Sequence, residues 1–434
     1  MRKRIVKIKK HAKFITGSLV FLLVSVLIIS SVQEIIYSKK NNNYHAFSYE
    51  KNNFYIDSVS AFAAFPDVSA RSAILIETYS GDIVYELNSK KRLPMASTTK
   101  IMTAITAIES GVPLDKVIII TKEMTGAEGS SVYLYENERF TLYDLIYALL
   151  LNSANDSAEA IAISIAGSID KFADMMNDKV KFLNLTDTNF KNPHGLDSDM
   201  HYTTAYDLAK ISAYALENDI FREICKTQTK IIYPKNSDGT NNETGARYLR
   251  NHNKILRIYK DAIGVKTGFT KKSGRCLVSA AERDGTRLVA VTLNASNDWN
   301  DHMEMLDYGF ANYRNLKLCK ENEYQFDINI VNGYKINENG EKISVNTIKC
   351  ENISAESVIL PNSIEKENIK STVELPRFVY APIKEGDVTG RIIFTYEEKI
   401  VGYSILVSSE TVETDIQKKS ILSEIIDFFQ NIIN

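Results

Sequence analysis

Ser97 and Lys100, in the run Pro94-Met95-Ala96-Ser97-Thr98-Thr99-Lys100-Ile101-Met102-Thr103, carry the residue types and spacing that nucleophilic chemistry needs. A hydroxyl and an amine at i and i+3 at the start of a helix share one face, so the amine can reach the hydroxyl. Burial or a second nearby cation lowers a lysine pKa, and the neutral amine can then take the serine proton. The spacing alone is not selective, because it recurs at Ser48–Lys51, Ser168–Lys171 and Ser363–Lys366. Context separates the first pair. Ser97 opens an apolar helix after a hairpin, with Pro94 just before it, whereas the others fall in a polar spacer, at a helix junction and in a loop.

Two further groups have chemical potential. Asn152-Ser153-Ala154-Asn155-Asp156 is a polar, turn-forming insert where one apolar helix ends and another begins; the bland alternative is an ordinary helix cap. Val265-Lys266-Thr267-Gly268-Phe269-Thr270 ends a short apolar strand with a cation, a hydroxyl and a residue without a side chain. Gly268 allows a substrate backbone to approach as an added strand, while Lys266 and Thr267 can hold a carboxylate. Ser344-Val345-Asn346 and Lys272-Ser273-Gly274 repeat these patterns elsewhere, so the weight lies in the combination.

In this order the three groups resemble the Ser-x-x-Lys, Ser-x-Asn and Lys-Thr-Gly motifs of the penicillin-recognising serine hydrolases. The wider sequence resembles the serine-type D-alanyl-D-alanine carboxypeptidases, the low-molecular-mass penicillin-binding proteins. The supporting stretches are Ser72–Glu77 with Ser80-Gly81, Met95–Thr103, Leu151–Ala160, Asn192-Pro193-His194-Gly195-Leu196, Asn251-His252-Asn253-Lys254, Gly264–Thr270 and Arg275–Leu293. The resemblance implies that Ser97 forms an acyl-enzyme with Lys100 as its general base. It further implies that Ser153 relays a proton to the leaving D-alanine and that Asn155 hydrogen-bonds the substrate amide. Lys266 and Thr267 would engage the terminal carboxylate, Lys266 would also depress the Lys100 pKa, and the N–H groups of Ser97 and Phe269 would form the oxyanion hole. No cofactor is implied. The partners implied are peptidoglycan stem peptides ending in D-Ala-D-Ala, and β-lactams that acylate Ser97. One departure stands out: the Asn-x-Asn stretch often carries Arg at its centre in relatives, and here carries His252.

The elements that must position these residues read as an α+β chain. Ser72–Glu77 and Ile83–Leu87 flank a turn, Ser97–Glu109, Thr141–Leu151, Asn155–Gly167 and Thr203–Leu216 have helical spacing, and Ile263–Lys266, Arg275–Ala281 and Arg287–Asn294 are strands. Asp298–Tyr313 reads as a closing helix. A mixed sheet with a helical cluster packed on it follows, the β-lactamase/transpeptidase-like catalytic domain of the resemblance, over residues 66–316. Residues 320–412 contain short β-branched segments and read as a small all-β domain. Residues 417–434 form an amphipathic helix that either packs back on that domain or lies in a membrane interface.

The 434 residues carry 44% hydrophobic and 24% charged side chains, which excludes a disordered, collagen-like or polytopic membrane protein. The net charge of -2 conceals an asymmetry. Arg2, Lys3, Arg4, Lys7, Lys9, Lys10 and Lys13 crowd the start without an acid, so the remaining body is acidic and has no affinity for nucleic acid. The basic tip runs into the uncharged stretch Phe14–Val32, about 28 Å as a helix and long enough to span a bilayer. Residues 1–37 therefore read as a membrane anchor or signal segment, and 38–65 as a spacer. The first Ala-x-Ala pattern waits until Ala61-Phe62-Ala63, which favours an uncleaved anchor at the extracytoplasmic face of the cell membrane.

Cys225, Cys276, Cys319 and Cys350 are far apart without a C-x-x-C, so buried or free thiols are expected. His194 and His201 lack the His-Glu-x-x-His spacing of a zinc peptidase, which leaves no metal site and gives His194 the role of ordering a turn. A class A β-lactamase is the nearest competing enzyme, but it has Ser-Asp-Asn where this chain has Ser153-Ala154-Asn155, and it lacks an appended β domain. A D,D-endopeptidase is weighed against by the same domain. A non-catalytic cell-wall scaffold would have no reason to keep Ser97, Lys100 and Lys266.

Overall fold

The computed structural model describes residues 65–415. The expected anchor, the terminal amphipathic helix and all but the last residue of the spacer lie outside the described residues. Among the described residues no helix is long and apolar enough to cross a membrane.

β1 (Ser72–Glu77), β2 (Ile83–Leu87), β3 (Ala262–Thr270), β4 (Gly274–Arg283) and β5 (Thr286–Ala295) form a five-stranded sheet in the order β2-β1-β5-β4-β3. The sequence suggested a mixed sheet; here each adjacent pair is antiparallel, because β3, β4 and β5 are joined by successive hairpins and β1 runs against β5. Every residue of β1 is buried, as a strand covered on both faces requires. Ile74 and Ile76 face the helical cluster, while Ala73 and Leu75 alternate onto the opposite core.

Helices α1 (Lys100–Ile108), α2 (Leu142–Leu151), α3 (Asn155–Ala166), α4 (Ile169–Phe182), α5 (Ala205–Glu217) and α6 (Asp219–Lys226) occupy the first face, and α7 (Asp298–Asn312) the second. α1 is buried from Lys100 to Ala107, which an apolar helix surrounded by α2 to α6 must be. α4 and α6 go beyond the sequence reading. α4 buries only a narrow stripe, Phe172, Ala173, Met176 and Val180, among charged residues, so its apolar signal is thin.

The described residues divide into two compact units, 65–318 with Ser357–Ile369, and Cys319–Glu356 with 370–415. In the second, Gln325–Ile336, Lys342–Asn352, Lys370–Glu374, Phe378–Tyr380, Val388–Tyr396 and Lys399–Ser408 form a six-stranded sheet over a core of Ile328, Ile330, Ile348, Cys350, Ile383 and Val412. The strand Glu356–Pro361, read from sequence as part of the β-rich region, pairs instead with Tyr313–Cys319. The reason lies at the end of α7. Asn362 donates its backbone N–H to Asn312 O at 2.9 Å and its side-chain amide to Ala311 O at 2.8 Å, satisfying helix-end carbonyls that have no partner within the helix.

α7 lies so close to the sheet that a Cβ on Gly309 would stand 2.5 Å from Leu288 Cδ1 and 2.8 Å from Leu75 Cδ2, both fully buried. Gly309→Ala should therefore destabilise the fold by about 1–2 kcal/mol, the overpacking cost exceeding the gain in helix propensity. The check is a lower urea midpoint with an unchanged m-value.

Candidate active site

Ala96–Thr99 form a 3₁₀ turn that runs directly into α1. In a 3₁₀ turn residues three apart eclipse one another, and Lys100 Nζ accordingly lies 3.0 Å from Ser97 Oγ. Ser97 is half-buried, while Lys100 is completely enclosed. At the repeated spacing Ser168–Lys171 the hydroxyl is spent as a helix cap, accepting from the Lys171 N–H at 3.2 Å.

The Lys100 amine also meets Asn155 Oδ1 at 2.6 Å and His194 O at 2.6 Å. Both are carbonyl oxygens that can only accept. The Asn155 orientation is fixed by Glu128 O, which takes its Nδ2–H. A neutral amine has two N–H bonds and one lone pair. Two accepting carbonyls use the N–H bonds and leave the lone pair facing the Ser97 hydroxyl. Burial holds the Lys100 pKa well below the ordinary lysine value, and the charge of Lys266 lowers it further, against a smaller opposing pull from Asp156. The arrangement can remove a proton from Ser97.

Ser153 and Asn155 do not cap α3. Its N-cap is Ala154, and the Asn155 N–H donates to Ser130 O at 2.7 Å. Ser153 sits in the left-handed region at φ 59°, a strained conformation for a residue with a side chain. Its hydroxyl accepts from Lys266 Nζ at 3.0 Å. Lys266 is buried within β3 and its pKa is lowered to about 7 by that burial. Thr267 is half-buried beside it, and Phe269 has its ring in solvent. β3 is the free edge of the sheet, so an extended peptide can add to it. Gly268 has a second reason to be glycine, since a Cβ there would stand 3.0 Å from both Ser97 N and Thr98 N. The strand end and the Ser97 turn therefore lie side by side, which puts the amides of Ser97 and Phe269 on neighbouring segments.

Sequence reading missed part of the site. His194 orders a turn as expected, its Nδ1 accepting from Leu196 N–H at 3.2 Å, but its carbonyl also holds Lys100. Burial, then the charges of Lys100 and His201, push the His194 pKa down to about 3. Gly195 adopts φ 91°, and a Cβ there would lie 2.0 Å from Ala96 O. The His201 ring bonds Thr99 Oγ1 at 2.8 Å, and Thr99 Oγ1 donates to Ala96 O at 2.8 Å. Main-chain roles of this kind leave no residue-type signal. Asp156 does: an acid next to Asn155 at the start of an apolar helix is conspicuous, and its buried carboxylate accepts from Ser131 Oγ at 2.6 Å and Leu134 N at 3.0 Å. His252 is held in a turn by the nearly buried Asn251 and Asn253. Its pKa is lowered by partial burial and then by the charge of Lys266. The four cysteines are free and buried.

Residues 59–297 match the family described as D-alanyl-D-alanine carboxypeptidase, and this span contains Ser97, Lys100, Ser153, Asn155, Lys266 and Thr267. The chain belongs to that family. Residues 331–414 match the C-terminal domain of penicillin-binding protein 5. The chain is similar to the D-alanyl-D-alanine carboxypeptidase DacF of Bacillus subtilis, 29% identical over 79% of this chain and 85% of that protein. It is likewise similar to DacC of Escherichia coli, 29% identical over 80% and 85%. Its fold resembles penicillin binding protein 5 from Haemophilus influenzae, at TM-score 0.69 and 23% identity over 81% of this chain and 99% of that one. The Streptomyces K15 DD-transpeptidase aligns at TM-score 0.54 and 29% identity over 57% of this chain and 100% of that one. DacF and DacC are carboxypeptidases by name, as is the matching family, which sets aside the β-lactamase reading.

The two lysines make a pH test. Lys100 must be neutral to accept a proton, so acylation should decline as pH falls through its pKa. Removing the neighbouring charge in Lys266→Met lifts one cause of that low pKa, so the acid limb of the penicillin acylation rate should move to higher pH. The rate of covalent labelling measured against pH in both proteins provides the check.

Proposed function

We propose that Ser97 is the nucleophile with which this serine-type D-alanyl-D-alanine carboxypeptidase removes the terminal D-alanine from peptidoglycan stem peptides. The observation that carries the assignment is the enclosed Lys100 amine, 3.0 Å from Ser97 Oγ, with two accepting carbonyls on its other side. Ser97 Oγ attacks the carbonyl between the two D-alanines and its proton passes to Lys100. The developing oxyanion is met by the N–H groups of Ser97 and Phe269, a contribution of about 3 kcal/mol per donor. As the C–N bond breaks, Ser153, its hydroxyl held by Lys266 at 3.0 Å, gives its proton to the D-alanine nitrogen and takes the one Lys100 had accepted, which leaves both the serine hydroxyl and the neutral amine restored. Lys266 and Thr267 hold the terminal carboxylate, and Asn155 meets the substrate amide. Water, deprotonated by Lys100, then hydrolyses the ester. A β-lactam presents a similar carbonyl and carboxylate, so it acylates Ser97 as well.

Labelled penicillin should attach covalently to the wild type and not to Ser97→Ala. Release of D-alanine from a D-Ala-D-Ala pentapeptide should fall by about 10⁴-fold or more in that variant. Retained labelling of Ser97→Ala would overturn the assignment.

The same proposal places the enzyme outside the cytoplasm on the cell membrane, where peptidoglycan is trimmed and cell shape is set. Support comes from the basic tip and the apolar Phe14–Val32 stretch. The full chain should sediment with membranes, and a chain lacking residues 1–37 should not; if both sediment alike, the terminal segment 417–434 becomes the anchor.

A further inference from the structure

The segment from Glu128 to Tyr135 has an outer face that the chemistry at Ser97 does not use. Tyr133 and Tyr135 are 72% and 66% exposed, while Val132 and Leu134 alternate into the core. Tyr133 stands at φ 57°, in the left-handed region, which is costly for a bulky residue and cheap for glycine or asparagine. Its surroundings impose that conformation. Ser131 Oγ accepts the Tyr133 N–H at 2.8 Å, and the Arg247 guanidinium donates to Tyr133 O at 2.9 Å and Val132 O at 3.2 Å. Because the ring is in solvent, no packing offsets the strain. Strain retained without burial points to a use for the side chain.

The inner face of the same segment is fastened to the catalytic machinery. Asp156 binds Ser131 Oγ, Val132 N and Leu134 N at 2.6, 3.3 and 3.0 Å. Glu128 O and Ser130 O hold the side chain and the backbone of Asn155. The two tyrosines are thus presented on a braced lip of the cleft. Arg247, below the Tyr135 ring, is paired with Glu138 at 2.7 Å, so its charge is met locally.

We propose that Tyr133 and Tyr135 form an aromatic platform that binds the saccharide strand carrying the stem peptides. This rests on the reading of Ser97 as the centre of a D-alanine-releasing site. The peptide end that enters such a site hangs from a polysaccharide, so the polymer must pass the cleft lip. Pyranose rings offer apolar C–H faces and hydroxyls, which match an exposed aromatic face bearing a phenol group. The exposed carboxylates of Glu128 and Glu136 beside the two rings disfavour an anion and can accept from sugar hydroxyls.

The test uses full-length Tyr133→Gly and Tyr135→Ala with three substrates: diacetyl-L-lysyl-D-alanyl-D-alanine, a sugar-free stem pentapeptide, and insoluble pentapeptide-rich peptidoglycan. D-Alanine release from the first two should remain at the wild-type rate, and release from the polymer should fall about fivefold. Tyr133→Gly should also melt at a higher temperature than the wild type, because glycine relieves the left-handed strain. An equal loss on all three substrates with a lower melting temperature would make the tyrosines structural and overturn the platform. No loss on the polymer would overturn it too, and a loss already present with the sugar-free pentapeptide would give the face to the peptide instead. A wild type that releases no D-alanine from the tripeptide would refute the reading of Ser97, a separate outcome.

Discussion

An amine can be enclosed in a protein without a counter-charge only if it gives up its proton or finds enough acceptors. Lys100 has the acceptors, its burial also lowers its affinity for the proton, and much of the catalytic unit is arranged around that constraint. Its acceptors come from segments far apart in the chain, Asn155 at the start of α3 and His194 in the loop before α5. A second lysine, Lys266 of β3, is enclosed against Ser153. Two buried amines oppose folding, and the apolar shell of α1, α2 and α5 against the sheet supplies the compensating burial.

Close approach of backbones does the remaining positioning. β3 reaches the Ser97 turn because residue 268 has no side chain, and the His194 loop reaches Ala96 because residue 195 has none. Asp156 ties the segment over Asn155 to the same helix start, so the three motif groups are linked by hydrogen bonds as well as by packing. A rigid constellation of this type places reacting groups without reorganisation during the reaction. Three residues at positive φ, Ala96, Tyr133 and Ser153, lie in or beside this region.

Much of this was legible beforehand, for identifiable reasons. Alternating burial in β1 and the continuous apolar character of α1 are local patterns, and those elements were found with boundaries close to the observed ones. α4 escaped because its buried stripe is only four residues wide in a charged helix. The strand Glu356–Pro361 was found but given to the wrong sheet, since its partner is decided by Asn362 reaching the end of α7. The direction of the strands in the main sheet likewise depends on which neighbours meet, and β1 pairs with β5 across some two hundred residues of chain.

The sequence alone determined which chemistry was available, because Ser97 with Lys100, Ser153 with Asn155, and Lys266 with Thr267 are each encoded within a few residues. It also set the order of elements that carry them. Only the tertiary structure decided how far the proton affinity of Lys100, on which that chemistry turns, is lowered. The enclosure of Lys100, the two carbonyls that use its N–H bonds and the neighbouring charge of Lys266 all arrive from distant parts of the chain, and each is a property of proximity rather than of residue type.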